Sequence, residues 1–316
     1  MNKKKLLITG ISGFVGQNLV KYFNNQSVFK LYGLDIVFKE IVGVEKIYSW
    51  NSLEEIRDID IVIHLAGKAH DLKKTSDEQA YFDINYGLTK QIYDWFLTTN
   101  CSKFFLMSSV KAVADVVQGA FLTEEVKPAP ITAYGRSKIK AEEYLLSKKL
   151  PTEKSFFILR PCMIHGPGNK GNLNLLYRFA KSGIPYPLGA FENKRSFLSV
   201  ENLCFVFKEF INRDIDSGIY QLSDDESLST NELISIISNT LGKKSKIWNL
   251  PETFIVRLAK FGTRLKLPLT EERLVKLTEN YVVSNDKIKK VLERNLPVSA
   301  REGLIKTIES FSSLSK

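Results

Sequence analysis

The sequence predicts an α/β fold, a doubly wound parallel sheet followed by a smaller C-terminal lobe, and three observations predict it. At the N-terminus a short apolar strand runs into a glycine-spaced turn and then a helix. As far as residue 160, apolar runs of strand length alternate with longer stretches of helical spacing. One of those runs, Ile59 to Ala66, is apolar almost throughout, as a strand covered on both faces has to be.

Taken in order, Lys5 to Thr9 is the first strand and Phe14 to Asn24 the first helix. Leu31 to Ile36 follows as a strand with Asp35 near its end, then a weak strand over Lys46 to Tyr48, then Ile59 to Ala66. Tyr81, Ile84, Leu88, Ile92 and Phe96 recur at intervals of three and four and predict one long helix over Asp77 to Thr99. Phe104 to Met107 is the fifth strand, Ala133 to Lys148 a helix, and Ser155 to Leu159 the sixth strand. Beyond residue 160, glycine and proline cluster at Gly166 to Gly171 and Gly183 to Gly189, loops that bound a further helix. The expected division is residues 1–160 for nucleotide binding and 161–316 mainly for substrate, with segments such as Ile219 to Leu222 returning to the main body.

With 316 residues, 44% hydrophobic and 25% charged, the chain is long enough for such a domain and lobe, and its composition argues against disorder. Cys101, Cys162 and Cys204 stand far apart without metal-ligand spacing, so reduced thiols, no metal and a cytoplasmic setting are expected. The lysines after Met1 and the run Leu6 to Ile8 have the outline of a signal peptide, but Gly10, Gly13 and Gly16 interrupt it and no small-residue cleavage site follows. The net charge of +10 is spread over the whole chain without a nucleic-acid module, which reads as a basic solvated surface and not as a nucleic-acid partner. No stretch is long and apolar enough for stable membrane insertion. One segment, Phe254 to Lys266, is basic and amphipathic, and its simpler reading is a helix packed on the second lobe.

Gly10-x-x-Gly13-x-x-Gly16 has one residue more than the G-x-G-x-x-G fingerprint but the same logic. The glycines permit a tight turn, close approach of a pyrophosphate, and a helix whose first amides face the anion. This defines a Rossmann-type dinucleotide site. Asp35, at the end of the second strand, is placed to accept hydrogen bonds from ribose hydroxyls and to repel a 2′-phosphate, favouring NAD over NADP. Lys39 nearby keeps NADP open.

Tyr134 and Lys138 lie four residues apart, one turn of the same helix. Oxidising a secondary alcohol requires a base for its hydroxyl proton, and free tyrosine titrates near ~10. A lysine ammonium on the same face favours the phenolate, so Tyr134 is the expected acid/base and Lys138 its electrostatic partner. Ser109, just beyond the fifth strand, is expected to orient the reacting oxygen, with Ser108 the alternative; Lys111 divides evenly between substrate contact and solvated loop. His64, inside an apolar strand, reads as a satisfied core residue.

Thr9 to Gly16, His64-Leu-Ala-Gly67, Asn85, Ser108-Ser109, Tyr134-x-x-x-Lys138 and Arg160-Pro161 together resemble the extended short-chain dehydrogenase/reductases, the NAD-dependent epimerase/dehydratase family. The resemblance implies that Phe14, Val15, Leu65, Ala66, Asn85 and Pro161 lie against NAD, and that Lys138 also holds the nicotinamide ribose. The separation of Ser109 from Tyr134 is that of sugar epimerases. Asn172, Leu173 and the run Asn193 to Phe197 resemble segments that hold a nucleoside diphosphate there, with Arg195 a bidentate phosphate ligand. The implied activity is redox chemistry at C4 of a UDP-hexose in polysaccharide synthesis, as a 4-epimerase; the alternatives are an NAD(P)H-dependent 4-ketoreductase of a UDP-4-keto-6-deoxy-N-acetylhexosamine and a nucleotide-sensing regulator. A homodimer through the two flanking helices is implied as well. The chain departs from the family pattern at Ser49-Trp-Asn51, at Ala112-Val113-Ala114, at His165 in place of tyrosine, and at Val291 to Pro297.

Overall fold

The computed structural model describes residues 3–26, 28–69, 78–169, 171, 173–265, 267 and 269–313. In chain order the elements are β1 (Lys4–Thr9), α1 (Phe14–Asn24), β2 (Phe29–Leu34), β3 (Val44–Tyr48), β4 (Ile61–His64), α2 (Glu78–Tyr81), α3 (Leu88–Thr98), β5 (Lys103–Met107), α4 (Ala133–Ser147), β6 (Ser155–Pro161) and β7 (Met163–His165). There follow α5 (Leu173–Ser182), β8 (Arg195–Ser199), α6 (Val200–Asn212), β9 (Gly218–Leu222), β10 (Ser227–Leu228), α7 (Thr230–Thr240), α8 (Glu252–Leu265), α9 (Glu271–Thr278), α10 (Asp286–Leu292) and α11 (Ala300–Ser313).

Seven strands form one parallel sheet in the order β3-β2-β1-β4-β5-β6-β9. The order reverses at β1, so the crevice beyond the carboxyl ends of β1 and β4 is where a doubly wound sheet takes its ligand. Strand periodicity builds the two faces. Leu6, Ile8, Phe105 and Phe157 point to one side, where they meet Leu19 and Phe23 of α1 and Phe207 and Phe210 of α6. Their neighbours Leu7, Phe104 and Ile158 point to the other, against Ile92, Tyr93 and Phe96 of α3 and Ala141 and Leu145 of α4. The segment 219–222 does return to the main body, in β9 at the edge of the sheet. A second, three-stranded sheet, β10-β8-β7, and the cluster around Phe197, Ile237 and Leu304 belong to the C-terminal lobe.

Two expected elements differ in ways that bear on the site. The apolar run 59–66 is a strand only from Ile61 to His64, because the amides of Leu65 and Ala66 turn onto the Thr9 hydroxyl at 3.1 and 3.0 Å. The single helix expected over residues 77–99 is interrupted by a π-helical turn, Phe82–Gly87; its first residue, Asp77, lies outside the described residues. Such turns are inserted where a side chain has to be re-aimed, and this one carries Asn85. Among the described residues no helix is long and apolar enough to cross a membrane.

Candidate active site at the carboxyl edge of the sheet

The glycine turn is dictated by backbone. Gly10 has φ +65°, and a Cβ there would sit 2.9 Å from the backbone of Ala66, so β1 and β4 approach too closely for any side chain. A Cβ on Gly16 would lie 2.5 Å from the Ile11 carbonyl, and this seats α1 against the turn. Gly13 is the N-cap of α1 and brings no side chain to its amides, leaving an anion-binding helix start. Phe14 and Val15 are partly buried beside it. Asp35, itself buried, accepts from Ser12 N and Oγ at 2.9 and 2.7 Å and from the Ile36 and Val37 amides at 2.7 and 3.1 Å. The carboxylate thus stiffens the turn.

Behind the turn runs a buried relay. Thr89 Oγ donates to the Asn85 carbonyl at 2.6 Å, so it accepts from His64 Nε2 at 3.0 Å. His64 Nδ1 then accepts the Thr9 hydroxyl at 2.7 Å, and Thr9 Oγ in turn accepts the Leu65 and Ala66 amides. Burial, assisted by Lys138, pushes His64 down to about 3, so its ring is neutral at physiological pH. The expectation of a satisfied core histidine holds, and more follows from it: this ring ties the glycine turn to Asn85. Asn85 grips the main chain of Lys68 on both sides, at 2.7 and 3.0 Å, and donates to Ser137 Oγ at 2.9 Å. Nearby, Trp50 sets its ring edge-on to His64 at 6.2 Å, in the segment that departs from the family pattern.

At the reacting centre, Thr132 caps α4 through the Gly135 amide, and Asp115 accepts the Ile131 and Thr132 amides at 2.7 and 3.2 Å. A Cβ on Gly135 would lie 2.4 Å from the Lys111 carbonyl, so only glycine lets α4 press against the turn after β5. Across that contact the Ser109 side chain acts on the Tyr134 phenol and favours its ionised form. Ser108, the alternative, donates instead to the buried carboxylate of Glu142, which Arg160 holds from Nε at 3.0 Å to both oxygens. Both partners of that ion pair are fully buried. Pro161 ends β6 beside them.

Lys138 Nζ donates to the Met107 carbonyl at 2.8 Å, above Gly67. Burial pushes Tyr134 above its ordinary value, with Ser109 acting the other way and Tyr81 adding to the rise. Lys138 is itself pushed down to about 8 by burial, with Glu142 opposing.

The facing wall comes from the lobe. Arg195 opens β8, donates to the Lys276 carbonyl at the end of α9, and pairs with Glu279 at 3.4 Å. Lys111 donates to the Asp115 carbonyl at 2.8 Å and stacks on the Tyr281 ring at 4.0 Å, in the field of Glu279 and Arg195; burial, opposed first by Glu279, lowers its pKa. The Tyr281 hydroxyl donates to the Ala114 carbonyl at 2.7 Å, in another segment that departs from the family pattern. Lys111 and Arg195, 84 residues apart by number, therefore share one cluster with Glu279 and Tyr281, which no spacing in the sequence announced. Asn172 lies outside the described residues. The Leu173 side chain is buried in the lobe core, which leaves only its main chain for a ligand. His165, where the family has tyrosine, is buried against Thr307 Oγ at 2.9 Å and Asp224 at 3.6 Å.

A parallel sheet with a glycine turn at its switch point and a Ser-Tyr-Lys set beside it defines a nucleotide-dependent oxidoreductive enzyme. Residues 6–222 match the NAD dependent epimerase/dehydratase family, and the chain belongs to it. It is 29% identical over 328 residues to a UDP-glucose 4-epimerase of Vibrio cholerae, covering 98% of this chain and 95% of that one. It is 30% identical over 261 residues to the N-acetyl-alpha-D-glucosaminyl-diphospho-ditrans,octacis-undecaprenol 4-epimerase of Escherichia coli O157:H7, covering 79% of this chain and 76% of that one. The fold is similar to that of UDP-glucose 4-epimerase from Thermotoga maritima, solved with UDP-glucose, at a TM-score of 0.77 and 18% identity over 99% of this chain and 100% of that one. It is equally close to Bordetella bronchiseptica WbmG in complex with NAD, at 0.77 and 16% identity over 99% and 95%.

Proposed function

We propose that this chain is a UDP-hexose 4-epimerase, and one observation carries the reading: Ser109 and Tyr134 lie at the carboxyl edge of the sheet, the serine acting on the phenol, with Lys138 one helical turn along and Arg195 on the facing lobe. The glycine turn, where a Cβ at Gly10 would strike the Ala66 backbone, and the side-chain-free start of α1 suit the pyrophosphate of NAD. Gly10, Gly13 and Gly16 hold that group, Asp35 the adenosine ribose, and Leu65, Ala66, Asn85 and Pro161 line the nicotinamide end. The Asp35 carboxylate supports NAD over NADP, since a 2′-phosphate would meet its charge. When bound, NAD supplies a reversible two-electron acceptor for C4.

The chain's own residues handle the proton. Tyr134 takes it from the C4 hydroxyl and later returns it, while Ser109 holds the same oxygen in line. Because burial raises the phenol, the base becomes effective only once positive charge gathers near it, from Lys138 and the bound cofactor together. Arg195 exchanges its Glu279 contact for the diphosphate, and Lys111 lies close enough to assist. Pairing of two copies through α3 and α4 belongs to the same proposal, as does a reducing, cytoplasmic setting, which three buried free cysteines support.

Purified protein incubated with a panel of UDP-hexoses is expected to carry bound NAD and to yield C4 epimers with no net change in NADH. Stoichiometric consumption of NAD(P)H with a UDP-4-keto sugar, without epimer formation, would overturn the epimerase in favour of a 4-ketoreductase.

A further inference from the structure

Helix α8 (Glu252–Leu265) carries two apolar faces where a helix packed on a lobe needs one. Ile255, Ala259 and Gly262 are buried against Tyr186, Leu188, Ile234 and Leu274 and seat the helix on the lobe. A second stripe, Phe254, Leu258, Phe261 and Leu265, follows the i, i+4, i+7, i+11 spacing and stands 54, 44, 56 and 56% exposed. At 100° per residue this stripe lies about a quarter-turn from the buried face. Arg257, Lys260 and Arg264 form a row next to it on the outermost side, all exposed and without an ion pair among the described residues. The only acidic residue of α8 is Glu252, at its start. A face of large apolar side chains bordered by unpaired cations is costly to leave in water and is not needed to hold the lobe together.

We propose that this outer face of α8 docks on an anionic lipid bilayer, lying in the plane of the interface with Phe254, Leu258, Phe261 and Leu265 in the headgroup-acyl boundary and the three cations on lipid phosphates. Charge complementarity selects this occupant. A second copy of the chain would bring an identical row of cations against the first, whereas anionic headgroups neutralise it, and the overall charge of +10 acts in the same direction. Helix α9 packs on α8 and touches Arg195 through Lys276 and Glu279, so the substrate lobe, not the glycine turn, is turned to the bilayer. The docking does not rest on the C4 chemistry, and its failure would leave that reading intact.

Sedimentation of the full chain with vesicles of phosphatidylglycerol and phosphatidylcholine, against phosphatidylcholine alone, tests it. Binding is expected on the anionic vesicles, to weaken at high salt, and to fall about fivefold for each of Lys260→Glu and Arg264→Glu or more. Phe261→Glu is expected to abolish it while turnover and melting temperature stay at the wild-type value, since the side chain supports neither the core nor the site. In a Phe261→Trp variant, the indole emission is expected to shift to the blue on anionic vesicles. Equal binding to both vesicle types, binding unchanged by Phe261→Glu and Arg264→Glu, or a concentration-dependent dimer that Phe261→Glu dissolves without any vesicle binding would each overturn the proposal.

Discussion

The two walls of the cleft are built on opposite electrostatic terms. On the sheet side, His64, Asn85, Lys138, Glu142 and Arg160 are all buried, and each is held by hydrogen bonds that no solvent competes for. On the lobe side, Arg195 and Glu279 are about a quarter and a fifth exposed, and Lys111 leans on an aromatic face and a carbonyl. A buried network has no partner to exchange with, so it fixes geometry; a half-solvated pair can give up one contact for another at little cost. The contrast sets a rigid hydrogen-bonded network on the sheet side against an exchangeable ion pair on the lobe side.

That contrast is open to direct attack, and the largest effect is expected at the reacting oxygen. Tyr134→Phe should lower turnover by about 10²–10⁴ with the fold unchanged by circular dichroism; retained turnover would remove the phenol from the mechanism. Next, Glu142→Ala leaves Arg160 buried without its counter-charge and should cost about 3–5 kcal/mol in denaturant unfolding, whereas Glu279→Ala on the lobe side should cost about 0–1 kcal/mol. Equal costs would erase the distinction between the walls. Arg195→Ala should raise the KM for UDP-sugar by about 10- to 100-fold with kcat nearly constant, reflecting charge-assisted bonds worth about 1.5–3 kcal/mol, and Arg195→Lys should recover part of the loss.

The smallest effect concerns Lys138. Its value of about 8 in the folded chain lies below the ordinary 10.5, so between those two the unfolded state holds more protons and stability rises with pH. From pH 8.5 to 9.5 wild type should therefore gain roughly 1 kcal/mol relative to Lys138→Met, measured as the difference between the two unfolding free energies. A difference that stays flat over this window would place the ammonium in a wetter environment than the Met107 carbonyl provides.

Much of the sheet wall was legible in advance, and the reasons are local. Gly10, Gly13 and Gly16 are demanded by backbone approach, and Tyr134 and Lys138 by one turn of helix, so their meaning lies within a few residues of sequence. The buried strands showed themselves by composition, though Ile59 to Ala66 overran its true end because the Thr9 hydroxyl, 55 residues away from His64, ends the ladder there. The π turn at Phe82–Gly87 left the spacing of apolar residues intact and so gave no sign of itself. On the lobe, Arg195 could be picked out by chemistry, but Glu279 and Tyr281 beside it could not, since nothing in their surroundings marks them as its neighbours.

By itself the sequence determined the strand-turn-helix around Gly10, Gly13 and Gly16, the alternation that makes a parallel sheet, and the placing of Tyr134 and Lys138 on one turn of helix. These follow from steric limits on the backbone and from periodicities of two and 3.6, which are short-range properties. Only the tertiary structure decided that His64 is a neutral strut, that Glu142 neutralises Arg160, that Lys138 donates to the Met107 carbonyl, and that α8 keeps a second apolar face outward. Each of these depends on which distant side chain reaches a given atom first, and that competition is settled by packing.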